Sequence, residues 1–176
     1  MYRVFVVTVL LCVAFVQASL SQGKARGKPE EVVQEWLSRW TQLDGSDESA
    51  ARFAELYLPD GVHEIGPSPR QFGIVTYEGH SDIQKMAKAF GETNSEITLR
   101  VPAVTAEEKS SEILYLGEGP WGGPAVAIEY VSAYTVRKDN KRYMAFGAAF
   151  FQIKDGKIRR VRMYAPREEI MEVFNR

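Results

Sequence analysis

The sequence predicts an α+β fold in which helices pack on one face of a strongly curved antiparallel sheet. Three observations predict it. Apolar residues recur at helical spacing between residues 29 and 90. Five segments rich in aromatic and β-branched residues follow from residue 97 onward. Turn signals separate those segments. Helices first and a meander of strands afterwards is the α+β order. Long strands that bend would give the sheet a cone shape, and Gly147, in the middle of its strand, suits a sharp bend or bulge.

The elements follow in order. Residues 1–18 read as a secretory signal peptide: Arg3 precedes the apolar run Val4 to Val16, and Val16-Gln17-Ala18 offers a cleavage pattern. The run is short of the roughly 20 apolar residues that span a bilayer. Residues 19–28 form a polar, flexible lead-in, and residues 29–176 form one domain. Pro29 opens the first helix, with Glu30 and Glu31 in its first turn and Val32, Val33, Trp36, Leu37, Trp40 and Leu43 on its apolar stripe. Asp44-Gly45-Ser46 stops it. A second helix carries Ala50, Phe53, Ala54, Tyr57 and Leu58 and ends at Pro59-Asp60-Gly61. Val62–Ile65 reads as a short strand, 66–73 as a loop, and Asp82–Phe90 as a third helix with Ser81 as its cap. Ile97–Thr105, Ser111–Leu116, Ala125–Arg137, Tyr143–Ile153 and Lys157–Tyr164 read as strands. Asp155-Gly156 marks the last hairpin, and Arg167–Phe174 reads as a final helix.

Bulk properties exclude several functions. Loss of Arg3 with the signal peptide lowers the 22 basic residues to 21 against 23 acidic ones. A net charge near −2 gives no electrostatic case for nucleic acid, and no basic tract suggests stable membrane association after cleavage. The single cysteine, Cys12, lies in the signal peptide, so the mature chain has neither thiol nor disulfide and rests on its core alone. The two histidines, His63 and His80, have no third partner and do not suggest a zinc site. No cofactor is expected.

Several strings resemble the SnoaL-like polyketide cyclase family of the nuclear transport factor 2-like superfamily. Leu56-Tyr57-Leu58-Pro59-Asp60-Gly61-Val62-His63-Glu64 resembles that family's end of helix two and first strand. Tyr77-Glu78-Gly79-His80-Ser81-Asp82-Ile83 resembles its entry to helix three. Phe151 to Ile158, with Arg162-Met163-Tyr164, resembles its last hairpin. The resemblance implies a cone-shaped fold around an apolar pocket that binds a small hydrophobic molecule. The activity it implies is that of a cofactor-independent isomerase, cyclase or dehydratase.

Relatives of this kind work through desolvated carboxylates. The implied acid of the epoxide hydrolase relatives falls on Met163, and their Arg-x-Asp pair on Tyr130 and Ser132. The ketosteroid isomerase base falls on Ile65, with Glu64 one residue earlier, and the oxyanion donor of helix one falls near Trp36 or Trp40. Glu64 and His63 are therefore the candidate catalytic residues. As strand neighbours they face opposite sides, so at most one enters the pocket. Tyr57, Tyr115, Tyr130, Ser132, Met163 and Trp40 are the candidate substrate-binding residues. Glu129 is expected to point outward. Two alternatives stay open: a secreted carrier with a catalytically empty cone, and a homodimer formed through the convex sheet face.

Overall fold

The computed structural model describes residues 28–66, 73–101, 113–120, 122–164 and 168–169. Three helices precede or interrupt the sheet: α1 (Pro29–Thr41), α2 (Asp47–Ala54) and α3 (Gly79–Thr93). The strands are β1 (Tyr57–Ile65), β2 (Val75–Glu78), β3 (Asn94–Arg100), β4 (Leu114–Glu118), β5 (Pro124–Val136), β6 (Lys141–Lys154), β7 (Lys157–Tyr164) and β8 (Glu168–Glu169). This is the α+β architecture that the residue pattern predicts.

Local chemistry sets the helix starts. Pro29 stands in the first turn of α1, and the Glu31 carboxylate accepts a hydrogen bond from the Lys28 N–H at 3.2 Å. Ser46 caps α2 by accepting from the Ser49 N–H at 3.1 Å. Gly45 between these helices has φ of 90°, a left-handed conformation that glycine adopts without strain.

The strands run β2-β1-β7-β6-β5-β3, with β4 extending the β3 edge of β5 and β8 pairing β6. All pairs are antiparallel except one: β1 runs parallel to β7, with His63 opposite Val161 and Glu64 opposite Arg162. The sheet is therefore mixed, where the sequence suggested a purely antiparallel one. A parallel neighbour requires a long crossover, which the intervening helix and strands provide.

Side-chain alternation divides the sheet into two faces. Val126, Ile128, Tyr130 and Ser132 of β5 are buried on the inner face, whereas Glu129 is exposed on the outer one. Phe151 of β6 and Val161 and Met163 of β7 join the inner set. There they meet Val33, Trp36 and Trp40 of α1, Phe53 of α2 and Ile83 of α3 in one core. The helices cover the inner face, and the outer face lies open.

Several element boundaries differ from expectation. The second helix stops at Ala54, and Tyr57 and Leu58 begin β1, because Ile158 N–H donates to the Leu56 carbonyl at 2.8 Å and draws the chain into the sheet. The third helix starts at Gly79, ahead of Ser81, and the short strand β2 precedes it. Gly147 marks no bulge. It pairs in regular register with Tyr130, and a Cβ there would lie 2.7 Å from the Tyr130 hydroxyl; the irregularity of β6 falls between Gln152 and Ile153. Glycine at this position gives the tyrosine ring room to cross the strand. Glu168–Glu169 pair with β6 as a strand rather than opening a helix. The remainder of the expected last helix, the signal peptide and most of the lead-in lie outside the described residues.

Candidate functional site

Two adjacent residues of β1 define the two sides of the sheet. His63 is fully buried on the inner face and Glu64 is buried on the outer face. The strand alternation that placed at most one of them in the pocket selects His63.

His63 sits in a ring of aromatics. Trp40 stacks on its imidazole at 5.8 Å with an interplanar angle of 11°. Trp36, Phe53, Tyr57 and Tyr77 approach it at 6.5, 6.3, 6.0 and 6.4 Å between centroids. α1 supplies both tryptophans, because Trp36 and Trp40 are one helical turn apart on its buried stripe.

A hydrogen-bond relay fixes the imidazole. The Trp36 indole N–H donates to the Tyr57 hydroxyl oxygen at 2.9 Å, and that oxygen lies 2.7 Å from His63 Nδ1. An indole can only donate, so the Tyr57 oxygen accepts from it, and its own O–H is available to Nδ1. Burial, partly opposed by the Glu64 charge, lowers the His63 pKa to about 3, so the ring is neutral near pH 7. In the tautomer whose Nδ1 accepts from Tyr57, the proton is on Nε2. Burial also raises the Tyr57 pKa far above the ordinary phenol range, so the relay carries no charge. His63 Nε2 has no hydrogen-bond partner among the described residues. The same is true of the buried Trp40 indole nitrogen and the Tyr130 hydroxyl. Buried polar groups normally find partners, so three unpaired groups in one core are unusual.

Glu64 has the opposite surroundings. Arg162 Nε donates to its carboxylate at 2.6 Å and Arg160 Nε at 3.0 Å, with a second bond from the Arg160 guanidinium. Burial alone would raise its pKa, but the two arginines outweigh burial and lower it. Such a group is an ionised structural brace and is poorly suited to accept a proton near neutral pH. Glu64 and His63 consequently cannot act on one substrate from one side. Among the described residues Glu64 is the only buried carboxylate, and it lies on the outer face.

The other expected binding residues divide between inside and outside. Tyr57 and Trp40 join His63 directly. Tyr130, Ser132 and Met163 line the same inner face on β5 and β7 and are at least nine-tenths buried. Tyr115 stands apart: it is 58% exposed on the edge strand β4, which has no strand beyond it at that end. The imidazole of His80 hydrogen-bonds the Tyr57 carbonyl at 2.9 Å and ties the start of α3 to β1. Trp36, Arg160, Arg162 and Gln152 are contributors the sequence reading did not select. The alternation Arg160-Val161-Arg162-Met163 was the available signal, since it places two arginines on one face of a strand. No cluster of three or more His, Cys, Asp or Glu that could hold a metal occurs among the described residues.

Two hollows accompany these groups. One of about 390 Å³ lies where α1 passes β3, bordered by Leu37, Thr41 and Leu99, next to the turn that carries Trp40. The other, of about 310 Å³, lies on the outer face beside Arg160 and Arg162.

Comparison with known proteins agrees with this geometry. Residues 33–161 match the model of the SnoaL-like domain. The chain belongs to the SnoaL-like domain family. Solved structures share the fold. A ketosteroid isomerase-like protein from Catenulispora acidiphila, in complex with trimethylamine, superposes on the SnoaL-like domain with a TM-score of 0.58 at 15% identity, covering 77% of this chain and 85% of that one. A proposed polyketide cyclase from Xanthomonas campestris pv. campestris gives 0.55 at 18% identity, covering 79% and 90%. A phenazine biosynthesis-related protein from Pseudomonas aeruginosa gives 0.52 at 15% identity, covering 84% and 86%. No curated protein sequence matches the chain.

Proposed function

We propose that this SnoaL-like domain is a secreted protein that binds a small hydrophobic molecule on the inner face of its sheet and holds an oxygen acceptor of that molecule against His63. The observation behind this reading is the Nε2 of a neutral, fully buried imidazole with no hydrogen-bond partner among the described residues. A neutral imidazole can polarise a carbonyl by donating a hydrogen bond without carrying charge into an apolar site. The Trp36–Tyr57 relay holds it in the donating tautomer at no cost in charge. The aromatic ring set supplies the apolar contact. The structural likeness to a proposed polyketide cyclase fits this ligand class, since polyketides are rich in carbonyls. The reading is of binding and polarisation, because the carboxylate that proton abstraction would require faces the other way. The expected signal peptide supports secretion.

A hydrophobic polycyclic ketone and the matching hydrocarbon without the carbonyl provide the test. Each is titrated into the protein while the fluorescence of the buried tryptophans is followed. The ketone is expected to bind at least about tenfold more weakly to His63→Phe than to the unsubstituted protein, a difference of about 1.4 kcal/mol. The hydrocarbon is expected to bind both alike. Equal loss for both ligands, or saturation by neither, would overturn the reading.

A further inference from the structure

The outer face of the sheet carries most of the large apolar side chains that the chain leaves bare. Seven such side chains are exposed among the described residues, and five of them, Leu114, Leu116, Phe146, Phe150 and Tyr164, are on this face. Pairing register settles their side. Phe150 and Leu114 both lie opposite Ala127, Phe146 lies opposite Val131 and Tyr164 opposite Ala148, all of them outward positions. Leu116 borders the outer hollow together with Phe150. The five side chains leave roughly 550 Å² uncovered. That is in the upper part of the range for the largest apolar patch of a monomer, and larger patches mark interaction surfaces.

This patch has both a protrusion and a depression. Phe146 is 64% exposed and stands out from the middle of β6. The hollow of about 310 Å³ opens further along the same strand, between Leu116, Phe150 and Tyr164. Phe150 and Tyr164 meet edge to face at 6.1 Å and shape its wall. Four residues of strand set Phe146 and Phe150 about 13 Å apart. Ala148, a small side chain, is midway between them on the same face. The hollow is at the small end for a ligand pocket and has room for one phenyl ring. Arg160 and Arg162, both paired with Glu64, border it on the β7 side, where a guanidinium can lie against an inserted ring.

We infer that the hollow receives Phe146 of a second copy of this chain. A two-fold axis at Ala148, lying in the plane of contact and running across the strands, sets each Phe146 over the other copy's hollow. Both protrusions and both hollows are then matched by one operation. A small ligand in the hollow would leave Phe146 bare in water, whereas a second copy covers both. The area agrees with this occupant. A standard interface takes about 800 Å² from each partner. The partly exposed Val131, Ala133, Met144 and Ala148 of the same face add to the five exposed side chains. The contact is independent of His63, which is on the other face of the sheet.

Sedimentation of the protein over a concentration series is the experiment. A monomer–dimer equilibrium with a dissociation constant below about 100 µM is expected. Phe146→Lys is expected to weaken the dimer at least about tenfold. Its melting temperature, compared at a dilution where both proteins are monomers, is expected to stay the same, because the side chain is exposed. Phe150→Glu, in the wall of the hollow, is expected to weaken the dimer as well. Mixing the two variants separates this contact from any other packing of the same face. The mixture is expected to form a heterodimer at least about tenfold tighter than the dimer of either variant alone. One Phe146 then still enters an intact hollow, and the introduced amine meets the introduced carboxylate at the other contact. Glu129 stands opposite Ala148, so the axis brings it towards its own copy, and Glu129→Gln is expected to tighten the dimer by about threefold. His63→Phe is expected to leave the dimer unchanged. A monomer up to about 100 µM, a dimer indifferent to Phe146→Lys, or no gain on mixing would overturn the inference. A weaker dimer in Glu129→Gln would overturn the axis. Binding of the monomer to phosphatidylcholine vesicles that Phe146→Lys abolishes would also overturn the inference, since the face would then meet a lipid surface.

Discussion

His63 and Glu64 are neighbours on one strand, and the two faces of the sheet treat them in opposite ways. The inner face keeps its ionisable group neutral by surrounding it with rings and supplying hydrogen bonds from neutral partners. The outer face keeps its group charged by placing two guanidiniums against it. The first arrangement avoids placing charge in the core. The second compensates for the desolvation of a charge with direct pairing. The contrast shows that adjacency in sequence says little about shared chemistry on a strand. It also identifies which residue can present a donor to an apolar ligand.

The largest effect that would break this comparison comes from pH. Below pH 6.5 the unfolded chain takes up a proton at His63 that the folded state refuses until about pH 3. Stability therefore falls as pH drops through that interval, by about 1.4 kcal/mol for each unit. Glu64, whose folded pKa is lowered, adds to the fall only below its ordinary value of 4.5. Urea denaturation between these two values is expected to show the His63 slope, and His63→Phe is expected to flatten it. A slope unchanged by that substitution would mean the imidazole is not held neutral.

A smaller effect tests the outer face. Glu64→Gln removes the charge between Arg160 and Arg162 and leaves like charges facing each other. A loss of about 2 kcal/mol in unfolding free energy is expected, reduced from the fully buried case because both arginines are partly exposed. The same variant is expected to leave affinity for the hydrophobic ketone unchanged. Lost ketone binding in a folded Glu64→Gln protein would return Glu64 to the ligand site.

The smallest effect sharpens the relay. Tyr57→Phe leaves the aromatic packing in place and removes the hydroxyl between Trp36 and His63. A loss of about 1 kcal/mol is expected, the net worth of a typical buried hydrogen bond. Nitrogen chemical shifts of the imidazole are expected to report a change in the balance of its two tautomers. An unmoved tautomer would show that Tyr57 does not set it.

Much of the fold was legible because its signals are local. Pro29 and the tryptophan spacing marked α1, and Asp155-Gly156 with its flanking strands fixed β7 at Lys157–Tyr164. The start of β1 was not legible. Leu56, Tyr57 and Leu58 continue the spacing of Phe53 and Ala54, and only pairing with Ile158, far along the chain, draws them out of a helix. The candidate site was legible in composition more than in arrangement. His63, Tyr57 and Trp40 could each be chosen as types that suit a pocket. The side each residue faces was not legible at Val62-His63-Glu64-Ile65, because this string has no clean polar alternation. The brace on Glu64 depends on residues 96 and 98 positions away, which no local pattern reports.

The parallel pairing of β1 with β7 has a consequence for how the chain folds. The strand that carries His63 has its central neighbour near the other end of the domain. Bringing them together closes a long loop, and that entropy is spent before the contacts form. The helices, the β1–β2 pair and the β5–β6 hairpin join residues close in sequence, whereas the β1–β7 pair joins residues about a hundred positions apart. Until that loop closes, His63 lacks its neighbour Val161 on β7.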